Sequence, residues 1–136
     1  MTIIERVDYL HVYIVKGAFA VILSDSKVNG TQKTLDQLDP ILHSVGFVRH
    51  NWDYEKATYD VKMEDPATGT IYYLRLLAHI VSGDMEKPSA VLKLNVPVIG
   101  RHIFPHGLDY RSDVPLKLAE QAKGIISSLE AKLGLH

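Results

Sequence analysis

The sequence predicts an α+β domain: an antiparallel β-meander covered by two helices, with an N-terminal hairpin or apolar extension. Three observations carry this. Four apolar or alternating segments follow one another between Phe47 and Val98 with short polar connections. That order suits antiparallel pairing, because parallel pairing needs a long crossover. A helix-periodic segment precedes them, from Leu35 to Val45, and another follows, from Leu118 to Leu133. The chain has 136 residues with 46% hydrophobic and 23% charged side chains, which fits one folded domain with its own core.

The N-terminal segment Ile3 to Leu23 is mostly apolar. Val7 to Val15 is rich in Val, Tyr and Ile, Lys16-Gly17 offers a two-residue turn, and Ala18 to Leu23 returns. This reads as a β-hairpin, with a buried helix as the alternative. Ser24 to Gly30 is a loop by composition. Thr34 then caps a helix, and Gln37 completes a capping box. Leu35, Leu38, Ile41, Leu42 and Val45 recur at helical spacing, and Gly46 suits the C-terminal left-handed position. Pro40 predicts either a kink or a restart with Asp39 as cap.

The expected strands are Phe47 to Asn51, Thr58 to Glu64, Ile71 to Val81 and Ala90 to Val98. Tyr59, Val61 and Met63 fall on one side of the second, Asp60 and Lys62 on the other. Asp65 to Gly69 and Ser82 to Pro88 are turns. Gly100 to Asp113 reads as a polar loop. Asp113 is expected to cap the last helix, with Pro115 in its first turn. Leu118, Ala122, Ile125, Ile126, Leu129 and Leu133 make the apolar stripe of that helix.

Composition narrows the function. Net charge is −1, from 15 basic and 16 acidic residues, so the basic excess of a phosphate-neutralising nucleic-acid binder is missing. There is no cysteine, which removes disulfides, thiolate nucleophiles and Cys-type metal sites and fits a reducing, cytoplasmic location. Glu5, Arg6, Asp8, His11 and Lys16 interrupt the apolar N-terminus, which argues against a membrane span. No glycine-rich phosphate loop, Gly-x-Ser-x-Gly elbow or His-Glu-x-x-His motif occurs.

Gly46-Phe47-Val48, Asn51-Trp52-Asp53-Tyr54, Tyr59-Asp60, Tyr73-Leu74-Arg75-Leu76, Gly107-Leu108-Asp109 and the closing helix from Val114 to Leu133 resemble the YugN-like family, small proteins of Bacillus-type bacteria. The similarity runs from about Leu23 to Leu133, so 1–136 reads as a single domain with 23–133 as the family core. Residues 1–22 look like an extension of the family pattern, native or from an over-long gene start. The loop after Asp109 looks shorter than usual. The resemblance implies no particular activity, cofactor or catalytic residue.

Candidate site residues come from the side chains themselves. Arg75 and His79 share a strand face, with Asp53, Asp60 or Asp109 as possible carboxylate partners; this is either a structural ion pair or an anion clamp. His102 and His106 are four apart with Asp109 three further on, a metal-ligand spacing on a helix, although Pro105 and Gly107 point to a loop. Trp52 and Tyr54 sit in an aromatic turn, as core anchor or as pocket wall. The leading expectation is a non-enzymatic binding or interaction module that forms a homodimer, with no cofactor, nucleic acid or membrane partner. The alternative is a small-ligand (anionic) or metal-binding enzyme with Arg75, His79, His102, His106 and Asp109 in one pocket and Trp52 or Tyr54 on its wall.

Overall fold

The computed structural model describes residues 3–7, 12–16, 21–22, 26–103, 107–110 and 113–135, the first three segments by backbone pairing alone. Among the described residues ten strands form one sheet, and two helices share its core. The fold is α+β, as the alternation of segments predicts.

Strands β1 (Ile3–Val7) and β2 (Val12–Lys16) pair antiparallel, and β2 pairs β3 (Val21–Ile22). The N-terminus is therefore three strands where a single hairpin was expected. Val7 belongs to the strand before the expected one. Gly17 of the expected turn, its return segment 18–20, and Leu23, Ser24 and Asp25 lie outside the described residues.

Strand β4 (Gln32–Thr34) leads directly into helix α1 (Leu35–Ser44). Gln37 Oε1 accepts the Thr34 backbone N–H at 3.3 Å, as a capping box requires. The helix neither restarts nor stops at Pro40. Asp39 serves no cap; its carboxylate accepts the Tyr59 hydroxyl at 2.8 Å. Leu38 and Leu42 are fully buried. Gly46 follows with φ +102°, the left-handed conformation that glycine adopts without a Cβ penalty.

Strands β5 (Val48–Trp52), β6 (Lys56–Glu64) and β7 (Ile71–Ser82) form the expected antiparallel meander. Strand β7 is the spine of the sheet. Tyr72, Leu74, Leu76 and Ala78 face the helices and are buried. Tyr73, Arg75, Leu77 and His79 face the other way, as the period of two dictates.

The expected strand Ala90 to Val98 is broken. Strand β8 (Val91–Leu94) pairs the C-terminal half of β7, and strand β9 (Val98–His102) pairs its N-terminal half. Between the two halves of this ladder, Arg75 lies opposite Val98 and Ala78 opposite Leu94, so the β8–β9 side has one extra residue. Pro97, which has no N–H for the ladder, sits in this interruption. The outer edge of β8 pairs β4, and that of β9 pairs β3 and strand β10 (Leu108–Asp109). The segment from Gly100 thus continues into a short hairpin instead of a loop.

Helix α2 (Leu116–Lys132) starts after Pro115, whose extended backbone (ψ 137°) occupies the N-cap. Asp113 is not the cap; its backbone carbonyl accepts the Tyr72 hydroxyl at 3.2 Å. Leu118, Ala119, Ala122, Ile126 and Leu129 complete the buried cluster with α1 and the even face of β7. Among the described residues no helix is long and apolar enough to cross a membrane.

Candidate functional site

Both helices pack on one face of the sheet. The other face is left to solvent around the first half of β7, and its polar groups converge there. Asp60 stands directly opposite Arg75 across the β6–β7 ladder. The pair is bidentate: Arg75 Nε donates to Asp60 Oδ1 and Nη2 to Oδ2, each at 2.9 Å. Arg75 Nη1 donates to the Tyr110 hydroxyl at 3.2 Å. Asp60 is 6% exposed and Arg75 21%. The Asp60 carboxylate holds the guanidinium well above its usual range, against the opposing effect of burial.

This pair floors a concavity of about 200 Å³ lined by His50, Asp60, Tyr73, Arg75, His102, Gly107 and Leu108. Five strands build it: β5, β6, β7, β9 and β10. The register of β5 against β6 shifts between Arg49 and Asn51, and the displaced residue is His50, which lines the concavity. Tyr73 and His102 meet edge to face, with ring centroids 5.9 Å apart. Gly100 lies opposite Tyr73, and a Cβ there would come within 2.8 Å of Leu108 Cβ and 3.0 Å of Tyr110 Cδ1. Glycine at this position lets the β10 hairpin close over the sheet.

A second hollow of about 400 Å³ adjoins the first and shares His50, Asp60 and Tyr73 with it. Lys62, Val48, Gly46 and Val61 complete its lining. A third, of about 370 Å³, lies between the helices and is lined by small and flexible side chains, Gly124, Ser128 and Lys132 among them.

The expected site residues separate. Arg75 and His102 share the first concavity. His79 is on the same face, but four residues along β7 is about 13 Å away, and its Nδ1 lies 3.0 Å from Asn95 Oδ1. Asp109 pairs opposite Arg101 on β9, one residue out of phase with the open face, and its Oδ2 accepts from Arg101 Nη2 at 3.3 Å. Trp52 lies opposite Ala57, on the helix side of the edge strand, 46% exposed with the Arg49 guanidinium 5.2 Å from its ring centroid. Tyr54 is 83% exposed at the hairpin tip. His106 lies outside the described residues. Among the described residues no group of three or more His, Asp or Glu could hold a metal ion. Asp60, named before only as a partner for Arg75, is central here. His50, Tyr73 and Tyr110 join the site through the β5 bulge, the sheet register and the β10 hairpin.

Residues 23–131 match the model of the YugN-like family. The chain belongs to the YugN-like family. It is 33% identical over 109 residues to the uncharacterized protein YlbA of Bacillus subtilis (strain 168), a match covering 78% of this chain and 89% of that protein. The crystal structure of the uncharacterized conserved protein YugN from Geobacillus kaustophilus HTA426 superposes with a TM-score of 0.72 at 31% identity, over 83% of this chain and 94% of that one. The YugN-like match takes in every strand that lines the concavity, from His50 to Leu108.

Proposed function

We propose that this YugN-like protein is a non-enzymatic binding module whose open sheet face takes a small anionic ligand. The observation that supports this is the Asp60–Arg75 pair on the floor of a concavity. An ion pair withdrawn from water adds little net stability, so its placement on an otherwise accessible face fits recognition better than folding. Charge supports the same reading. By register, among the residues of β6, β7 and β8, Lys56, Lys62, Arg75 and Lys93 point to the open face against Asp60 and Glu64, although the whole chain carries −1. The volume of about 200 Å³ holds roughly six or seven waters at about 30 Å³ each, so the ligand is small.

Backbone amide NMR with a panel of small carboxylates and inorganic phosphate tests this. The expected result is a saturable set of shifts confined to β5, β6, β7, β9 and β10, lost in the neutral pair Asp60→Asn/Arg75→Gln. Shifts confined to the groove between α1 and α2, or none with any anion, would remove the reading.

We also propose that the module is a homodimer. Among the described residues strand β5 is paired on one side only, and its free edge, with Val48 60% exposed on the open face and Trp52 46% exposed on the helix face, can pair with that of a second copy.

A further inference from the structure

Resting on the anion-binding reading above, we infer that the preferred ligand carries two acidic groups on a short linker, one held by Arg75 and the other by Lys62. Three observations lead there. First, the two hollows on the open face form one groove, because His50, Asp60 and Tyr73 line both. Arg75 lines only the first and Lys62 only the second, so the cations mark opposite ends.

Second, each cation has capacity left. A guanidinium has five N–H donors. Asp60 takes two of those on Arg75 and Tyr110 takes one, leaving one on each terminal nitrogen. Lys62 is exposed, and no carboxylate among the described residues pairs with it.

Third, the spacing is set by the ladder. Asp60 lies opposite Arg75 and Lys62 opposite Tyr73. Lys62 and Arg75 are therefore diagonal neighbours, about 7–8 Å apart at the backbone. A flexible lysine stem brings the two charges within reach of one short molecule. The Asp60 carboxylate between them already accepts two charge-assisted bonds from Arg75.

The hydrophobic part of the ligand would lie over Tyr73, between the two ends. Tyr73 lines both hollows and is only partly buried. This adds apolar contact without adding selectivity for a particular linker.

Calorimetric titration of the full chain with short aliphatic dicarboxylates of increasing length tests the inference, with the monocarboxylate of equal length beside each. The best dicarboxylate is expected to bind about fivefold tighter than its monocarboxylate, the gain that one added exposed ion pair provides when tethered. Lys62→Gln is expected to erase that difference, while Glu64→Gln leaves it in place. Equal binding of the two acids, or an advantage that survives Lys62→Gln, overturns the two-anion inference and leaves the anion site standing. No binding by either acid or by inorganic phosphate overturns both. Lys62 is exposed on a strand face, so its neutral variant folds, and a thermal melt of each variant checks this.

Discussion

Gly100 is the residue on which the shape of the site turns. Its backbone is not in the left-handed region, so the need for glycine is one of space. A methyl group there would meet Leu108 Cβ at 2.8 Å, an atom fixed to the backbone that cannot swing aside. Gly100→Ala is expected to cost about 1–3 kcal/mol by overpacking, read as a lowered denaturation midpoint. It should also displace Tyr110 from Arg75 and so weaken anion binding more than a distant substitution of equal cost. Asp53 makes a second residue-level prediction. It is fully exposed, and its Oδ1 accepts the backbone N–H groups of Glu55 (2.8 Å) and Lys56 (3.0 Å). Those bonds hold its carboxyl below the ordinary value of 3.8. Folded below unfolded means that this stabilisation is present above that value and is lost as the pH falls through the folded one. An Asp53→Ala variant is therefore expected to differ from the parent at neutral pH and to converge with it in acid, as followed by thermal melts between about pH 6 and 3.

At the scale of elements, helix α2 carries the clearest test. Gly124 is an exposed interior position, and nothing lies within 4 Å of where a Cβ would stand. Gly124→Ala is expected to stabilise the protein by about 1 kcal/mol through helix propensity alone, measured by chemical denaturation. The elements also divide by how much the sequence discloses of them. Both helices and the β5–β6–β7 meander announce themselves, because long periodic stretches signal both type and face. Strand β4 does not: its three residues read only as the approach to a cap, and pairing with β8 makes them a strand. The break at Asn95 to Pro97 is similar. Alternation runs through it unchanged, and Pro97 alone hints that one strand becomes two. The site is legible in part for the same reason. The turn at Asp65 to Gly69 centres the β6–β7 hairpin so that Asp60 meets Arg75, a register that turn position and alternation contain. His50 is out of reach, since a bulge shifts it without leaving a mark on composition. Asp109 and His102 sit seven apart in sequence, yet the hairpin that joins them puts their side chains on opposite faces, which spacing in a presumed loop cannot reveal.

On the scale of the whole molecule, the sheet has helices on one face and ionisable groups on the other, with strand β5 ending it at one edge and β1 at the other. The dimer proposal belongs here. Light scattering after size exclusion is expected to give twice the chain mass, and Val48→Lys, which puts a charge on the outer strand, to reduce it to the monomer. A strict monomer at high concentration removes the proposal. The long strand β7 has one more consequence. From Tyr72 to His79 its even positions are committed to the core and its odd positions to the open face, with no residue serving both. Inheritance can act on the two sets separately. A substitution at Tyr73 or Arg75 changes the lining of the open face without touching the buried side chains of Leu74, Leu76 or Ala78, so that face can diverge while the architecture is kept.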